Sequence, residues 1–235
     1  MKFNAYVDGF NLYRGLLKDR PDSRWLDVRE FCASRWSEKS LEKVYFFTAR
    51  AKERYPGDDA PRRQHAYLRA LESTGVEIVL GKFAKNVDWL RINGHLHREF
   101  IEPNLLDTDS LVQKRFDDAA SIATPDLLKA HVWRFGEKGT DVNLASQLLF
   151  DAWKANLANA MVVTGDSDLQ TPIRMLVDSG IQVKTLIPSL ANFSTELRKV
   201  STFTESIHLS WLKTAQLPER VPTGTGFITR LQKWR

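Results

Sequence analysis

The chain has 235 residues, 43% of them hydrophobic, with 12 Gly and 9 Pro, which is enough to bury the core of one α/β domain. Cys32 is the single cysteine, so the sequence excludes an intramolecular disulfide and any four-cysteine zinc or iron–sulfur site. The net charge of +5 favours a polyanionic partner, although a mildly basic protein without such a partner fits the charge equally well.

The first predicted strand covers the apolar residues 3–7 and ends at Asp8. A turn at residues 9–11 separates it from residues 12–17, whose spacing is compatible with a helix. Lys2 is the only basic residue at this start, and no apolar run there is long enough for a signal peptide or a membrane span. Together with the single cysteine, this leads us to expect a cytoplasmic protein with no membrane partner.

Two more strands are predicted in the middle of the chain, at residues 41–48 and 76–80, on either side of a predicted helix over residues 62–73. Gly75 is placed to end that helix. The Asn-Gly pair within residues 91–99 predicts a β-hairpin, because this dipeptide is the strongest short turn signal.

In the second half of the chain, strands and helices alternate. The predicted strands are residues 132–135, 160–164 and 181–187, and the predicted helices are residues 141–153 and 172–179. Gly180 lies just past the end of the second of these helices. The alternation predicts an α/β fold with a doubly wound, mostly parallel sheet flanked by helices. We assign residues 1–215 to this domain. Residues 216–235, rich in Pro, Gly and basic residues, are predicted to form an extended basic tail.

Three acidic residues follow predicted strands. Asp8 comes directly after the first strand, and Asp166 and Asp168 follow the strand at residues 160–164. Open α/β sheets bind their ligands at the carboxyl ends of the strands, so these side chains are expected at the binding edge. Carboxylate oxygens are the ligands that Mg²⁺ and Mn²⁺ prefer, and the pattern therefore favours a divalent metal site.

Asp141 begins a helical stripe that continues through Ala145, Leu148 and Ala152, and we expect this stripe to face the sheet. A carboxylate in that position would be partly desolvated, which is costly unless a cation or hydrogen-bond donors meet it. An equally compatible interpretation is that Asp141 merely caps its helix. Asp168 could likewise cap the helix that follows it.

Two polar residues beside these acids have competing interpretations. Asn11 either stabilises its own loop by bonding to the backbone, the commoner use of Asn in turns, or orients a metal ligand or a scissile phosphate. Lys138 is either a solvated lysine or a contact for a substrate phosphate. His95 and His97 lack other obvious ligands, and we interpret them as surface histidines rather than a zinc site.

Three segments in order resemble the motifs of the NYN (LabA-like) domains of the PIN-like nuclease superfamily. They are DGFNL at residues 8–12, KGTDVNLA at residues 138–145 and TGDSD at residues 164–168. Each motif is weak alone, but three in the expected order and at the expected strand or helix edges are a specific combination. The similarity extends over residues 1 to about 187.

The resemblance implies a PIN-like sheet and hydrolysis of single-stranded RNA by a metal-activated water molecule. One or two Mg²⁺ or Mn²⁺ ions would be held by acids, with Asn11 nearby as a further catalytic residue. The acids implied as ligands are Asp8, Asp141, Asp166 and Asp168. The chain departs from the family at Gln147, where many relatives carry another acid, and at Leu169, where they often carry Phe.

RNA is the expected partner, while DNA and a homodimer remain open alternatives. Basic residues on the second predicted helix, beside the second motif and in the tail are the expected nucleic-acid contacts: Arg62, Arg63, Arg69, Lys138, Arg230 and Lys233. Two rival functions are a catalytically inactive RNA-binding or scaffold module of the same fold and, less compatible with the residues, a phosphatase-like hydrolase. A haloacid-dehalogenase-like phosphatase needs a second Asp two residues after Asp8, and Phe10 occupies that position.

Overall fold

The structure is a computed structural model that describes residues 1–53, 55–91, 129–154, 157–188 and 195–231. The chain divides into two compact units, Met1–Phe83 with Glu137–Arg235, and Ala84–Gly136. The second unit contributes most of two strands that pair with each other, Lys82–Arg91 and Lys129–Lys138. The predicted hairpin at residues 91–99 and both histidines within it fall outside the described residues, apart from Arg91.

The regular elements of the described residues are numbered in chain order. The strands are β1 Lys2–Asp8, β2 Ser40–Thr48, β3 Val76–Leu80, β4 Lys82–Arg91, β5 Lys129–Lys138, β6 Asn159–Val163, β7 Gln182–Ile187, β8 Phe203–Ser206, β9 Arg220–Thr223 and β10 Gly226–Thr229. The α-helices are α1 Gly9–Leu12, α2 Val28–Ser34, α3 Ala60–Ser73, α4 Thr140–Lys154, α5 Gln170–Asp178, α6 Thr195–Val200 and α7 Leu209–Thr214. A π-helical turn, Tyr13–Leu17, follows α1, and 3₁₀ turns occur at Pro21–Ser23 and Ser167–Leu169.

Six strands of the first unit form one sheet in the order β3-β2-β1-β6-β7-β8, and every neighbouring pair is parallel. The predicted α/β class with a mostly parallel sheet flanked by helices is confirmed. Successive strands progress outward from β1 in one direction and from β6 in the other. The switch point of the sheet therefore lies between β1 and β6, where open α/β sheets form their binding crevice.

The central strands are buried on both faces, as their continuous apolar runs predict. On one face, Phe3 and Val7 of β1 pack with residues of α2 and α3. On the other face, Tyr6 packs with Leu144 and Leu148 of α4 and with residues of α5. The helices that follow β1 and β6 therefore lie on opposite faces of the sheet, and both begin at its carboxyl edge.

Local signals placed several helix ends correctly. Gly75 directly follows the turn that ends α3 and has a φ of 83°, a conformation that side chains with a Cβ rarely adopt. Gly180 plays the same part after α5, with a φ of 82°. The short helices α2, α6 and α7 were not predicted, since six or seven residues are too few for a clear 3.6-residue period.

The segment predicted as an extended tail forms a β-hairpin instead. Strands β9 and β10 pair antiparallel, and their residues Val221 and Ile228 are buried with the core beside α3. Leu217 is also buried, and its backbone N–H donates to the Trp25 carbonyl at 2.9 Å. The prediction was wrong because the segment is rich in Pro, Gly and basic residues, and its few apolar residues form no periodic pattern. Their burial results from packing against α3, which lies far away in the sequence.

Candidate active site

Asp8 and Asp166 lie at the carboxyl ends of the two strands that flank the switch point. Val7 of β1 is paired with Val163 of β6, so Asp8 and Thr164 extend side by side beyond the ladder. Asp166 follows two residues later. The sequence predicted that each motif would end a buried strand, but it did not predict that the two strands are neighbours.

The carboxylate of Asp8 is buried, with 3% of the residue exposed. Its Oδ1 accepts a hydrogen bond from the backbone N–H of Asn11 at 2.9 Å, and its Oδ2 accepts one from the hydroxyl of Thr164 at 3.2 Å. The pKa of Asp8 is raised from 3.8 to about 6. Burial is the main cause and the charge of Asp141 contributes to the rise, while these hydrogen bonds oppose it. A positive charge next to this buried carboxylate would therefore stabilise its ionised form.

Asn11 connects the first motif to the third. Its side-chain Oδ1 accepts a hydrogen bond from the backbone N–H of Gly165 at 3.2 Å, while its own backbone N–H binds Asp8. The Asn11 side chain therefore binds the backbone of the third motif, across the switch point, and not the backbone of its own segment as in the first interpretation. Gly9 is needed in this loop because a Cβ there would lie 2.5 Å from the ring of Phe46.

Thr164 is a site residue that the motif analysis did not single out. It is fully buried, its hydroxyl donates to Asp8, and the same oxygen accepts the backbone N–H of Asp166 at 3.1 Å. One hydroxyl group thus links Asp8, the last residue of β1, to Asp166, which follows β6. A polar residue at the end of an otherwise apolar strand was the available signal.

Asp141 lies in the first turn of α4, and its side chain is exposed. The expectation that its helical stripe faces the sheet is only partly correct, because the buried stripe runs through Thr140, Leu144, Leu148 and Asp151. Partial burial raises the pKa of Asp141, and the charges of Asp166 and Asp168 raise it further. Asp141 therefore stands at the rim, electrostatically coupled to the acids on both sides of the switch point.

The start of α4 is held close to the carboxyl edge of β3. A Cβ at Gly81 would lie 2.8 Å from the carbonyl oxygen of Lys138 and 2.8 Å from a methyl group of Thr140. In addition, the side-chain amide of Asn143 donates to the carbonyl of Leu80 at 3.4 Å. This contact fixes where the helix that carries Asp141 begins.

The third motif also has a local role. Oδ1 of Asp166 accepts the backbone N–H of Asp168 at 3.0 Å and so caps the 3₁₀ turn Ser167–Leu169. Asp168 is exposed and does not cap α5, since the N-cap position of that helix is Leu169, which makes no side-chain cap. The cap interpretation thus applies to Asp166, while Asp168 is left with its side chain in solvent near Asp141.

The donor chemistry of these four acids suits a hard divalent cation. No Lys or Arg of the described residues forms an ion pair with Asp8, Asp141, Asp166 or Asp168. Equally, within the described ranges no three His, Cys, Asp or Glu side chains are already gathered closely enough to hold an ion. Like charges that lie close together repel one another. We call the four acids Asp8, Asp141, Asp166 and Asp168 the acidic rim.

Gln147, which stands where many relatives of the resembled family carry an acid, contacts another carboxylate. Its side-chain amide donates to Oδ1 of Asp151 at 2.9 Å, and the hydroxyl of Tyr6 donates to Oδ2 of the same residue at 2.7 Å. Asp151 is buried and lies two to three turns along α4 from Asp141. Gln147 therefore stabilises a buried structural carboxylate.

The predicted nucleic-acid contacts differ in their availability. Arg62, Arg69 and Lys138 are exposed. Arg63 forms an ion pair with Asp59, one helical turn away, and Arg230 donates to the carbonyl of Asp22 at 3.2 Å. Lys233 lies outside the described residues.

The motif that follows β6 and the acid on α4 belong to a segment that is shared with a known domain family. Residues 105–208 match the NYN domain family. The match confirms the resemblance drawn from the motifs and is consistent with an NYN-domain protein of the PIN-like superfamily. It includes Asp141, Asp166 and Asp168, and it begins after Asp8 and Asn11. It supports a nuclease-like domain, a class that generally uses divalent metals and typically binds RNA.

Two individual proteins are also similar to the chain. A 6-hydroxy-3-succinoylpyridine 3-monooxygenase from Pseudomonas putida is 24% identical, over 94% of this chain and 72% of that protein. A solved structure of a protein of unknown function from Vibrio parahaemolyticus superposes with a TM-score of 0.47 at 16% identity, covering 88% of this chain and 93% of the other. None of the helices in the described ranges is long and apolar enough to cross a membrane.

Proposed function

We propose that this NYN-domain protein is a divalent-metal-dependent ribonuclease that hydrolyses phosphodiester bonds of single-stranded RNA. The observation that carries the proposal is that Asp8 and Asp166 lie at the carboxyl ends of the neighbouring strands β1 and β6. The charge of Asp141 interacts with Asp8 and also with Asp166 and Asp168. The NYN match, which covers three of the four acids, supports the same reaction class.

Mg²⁺ or Mn²⁺ bound by the four acids would lower the pKa of a bound water molecule, so that hydroxide would be available to attack a phosphodiester at neutral pH. The chain would contribute one fixed ligand, two adjustable ones and Asp166, whose Oδ1 is already held by the backbone N–H of Asp168. Asp8 is fixed, because it is buried and held by Asn11 and Thr164. Asp141 and Asp168 are exposed, and side chains at a surface turn between rotamers at little cost. Asn11 would position the Gly165 backbone beside the reacting phosphate.

A second candidate is a catalytically inactive RNA-binding module of the same fold. Two observations favour it: the acids of the described residues are not gathered in advance, and Gln147 replaces an acid that many relatives of the resembled family carry. The two candidates agree on RNA binding and differ on cleavage, so a cleavage assay separates them. The phosphatase-like alternative still lacks its second Asp, because Phe10 occupies that position.

The test is incubation of the pure protein with labelled single-stranded and double-stranded RNA and DNA, in Mn²⁺ and in EDTA. We expect cleavage of single-stranded RNA in Mn²⁺, none in EDTA, and loss of cleavage in Asp8→Asn and Asp141→Asn. The matched control is Asp178→Asn, an exposed acid at the end of α5. Cleavage that survives in the two site variants would belong to a contaminating nuclease and contradict the proposal. RNA binding without cleavage would establish the inactive module.

A further inference from the structure

A second set of chemistry-bearing side chains lies at the carboxyl edge of β2 and β3, outside the acidic rim. A depression there is lined by Arg50, which follows β2, and by His65 and Arg69 of α3. Its apolar lining consists of Leu68, Ile78 and Leu80. Among the described residues of its lining, Glu72 is the one acid, against two guanidinium groups. We call this depression the β3-edge pocket.

The positions of its basic residues are set by the fold. The side chain of Gln64 holds the backbone on both sides of Arg50, since its amide donates to the Ala49 carbonyl at 2.9 Å and accepts from the Ala51 N–H at 2.7 Å. His65 and Arg69 are one helical turn apart, so they lie on the same face of α3. Each of the three side chains belongs to an exposed residue.

These guanidinium groups are available for a ligand. Within the described residues, neither Arg50 nor Arg69 forms an ion pair with an acid of the chain. The neighbouring apolar surface is also partly open, since Leu80 is 40% exposed. A planar cationic fork suits a phosphate, and an exposed aliphatic surface suits the face of a base.

The pocket is close to the acidic rim. Asp8 is in register with Phe47 of β2, and Thr48 of β2 is in register with Leu80 of β3, so the pocket lies across two strand spacings from Asp8. At a spacing of about 4.8 Å, the separation along the sheet is roughly 10 Å. The pocket lies on the α3 face of the sheet and Asp141 lies on the α4 face, so an RNA strand that reaches both must pass over the carboxyl edge. The acidic rim repels a polyanion such as RNA. The guanidinium groups of Arg50 and Arg69 would attract the RNA and so oppose that repulsion.

We propose that the β3-edge pocket is a nucleotide subsite for the RNA strand, in which Arg50 and Arg69 bind a backbone phosphate and Leu80 packs against its base. His65 donates a further hydrogen bond to that phosphate. The inference rests on the proposed function for the identity of the strand. It adds Arg50 and His65 to the contacts expected from the sequence and places the flanking nucleotide on the β3 side of the site.

The test uses Arg50→Gln, Arg69→Gln and the double variant, with Lys43→Gln as the matched control. Lys43 is an exposed residue of β2, the strand that precedes Arg50. It lies near the other end of that strand, roughly 23 Å from Arg50 along the chain direction. Binding of a short fluorescein-labelled oligouridylate is measured by anisotropy in EDTA at several salt concentrations, where no metal-dependent cleavage occurs. Circular dichroism melts confirm that each variant is folded.

We expect each Arg variant to bind about tenfold more weakly, because a hydrogen-bonded charge contact is lost. The dependence of log K on log salt should fall by about 0.7 for each phosphate contact removed from a single strand. In Mn²⁺, KM should rise with a smaller change in kcat. The Lys43→Gln variant should match wild type in all three measurements.

Binding of the Arg variants equal to that of Lys43→Gln would overturn the subsite, even if the wild type cleaves RNA. Conversely, a wild type that binds but never cleaves would end the nuclease proposal while the Arg variants still decide the subsite. Displacement of the oligouridylate from wild type by polyglutamate at equal charge concentration would assign the pocket to acidic protein partners and also overturn it.

Discussion

The hydroxyl group of Thr164 donates a hydrogen bond to the carboxylate of Asp8, although the two residues are 156 positions apart. The same oxygen accepts the backbone N–H of Asp166. Because Thr164 is fully buried, no water can replace its hydroxyl without a change in packing. This contact joins the first and third motifs and sets the orientation of the one acid that is held rigidly.

Replacing Thr164 with Val should therefore disturb catalysis more than substrate binding. Val keeps the shape but removes the donor, leaving a buried carboxylate oxygen and the Asp166 N–H without their partner, at a cost of about 1–3 kcal/mol. We expect kcat to fall with KM little changed, and the melting temperature to drop. Thr164→Ser restores the hydroxyl and should recover most of kcat. Equal losses of kcat in the two variants would show that restoring the hydroxyl is not enough, and would contradict the role assigned to it.

Asp8→Asn should stabilise the metal-free protein, and by more at neutral than at acidic pH. The pKa of Asp8 is about 6 in the folded protein against 3.8 ordinarily, so the folded state binds more protons between these values. Its ionisation therefore destabilises the fold above pH 6, by up to about 3 kcal/mol, and the penalty disappears as the pH falls toward 4. Asn can still accept from Asn11 and contact Thr164.

The measurement is the melting temperature of both proteins in EDTA across pH 4 to 8, a window around the pKa of about 6. We expect the advantage of the variant to be a few degrees at neutral pH, since 1 kcal/mol corresponds to about 2–4 °C in a domain of this size. The advantage should shrink steadily below pH 6. A variant that melts lower than wild type at every pH would mean that Asp8 is a structural anchor.

Added Mn²⁺ should reverse the order of stability. An ion that binds the folded state raises its stability in proportion to the logarithm of its concentration over Kd, and a variant with a damaged site gains less. We expect wild type and Asp178→Asn to gain several degrees in Mn²⁺, and Asp8→Asn and Asp141→Asn to gain little. Equal gains in all four proteins would place any bound metal away from the acidic rim.

Removing the hairpin should destabilise the protein. Truncation after Glu219 deletes β9 and β10 and with them the buried side chains of Val221 and Ile228, each of which contributes about 1.5–3 kcal/mol by burial. We expect a lower melting temperature by thermal denaturation. Truncation after Leu231 removes Lys233 but leaves the hairpin, so it should preserve stability and reveal any loss of RNA affinity due to the last residues alone. A hairpin truncation with unchanged stability would contradict the packing described for β9 and β10.

The sequence alone determined the elements that carry the acids. The run before Asp8 is apolar except for Asn4, and the run at residues 160–163 is continuously apolar, so both predict buried strands. Gly75 and Gly180 mark helix ends because few other residues adopt a positive φ. These are local properties, set by side-chain pattern and backbone sterics within a few residues. The family motifs extended that local information to a candidate site.

The tertiary structure alone decided which of these elements meet. The order of strands in a sheet depends on the packing of whole faces, so the pairing of β1 with β6, and with it the bond between Thr164 and Asp8, has no local signature. The burial of Ile228 also depends on tertiary packing. A single apolar residue in a polar segment does not predict burial, and Ile228 is buried because α3 packs beside it. Arg50 comes beside Arg69 because β2 and α3 pack together, and no spacing in the sequence predicts that contact.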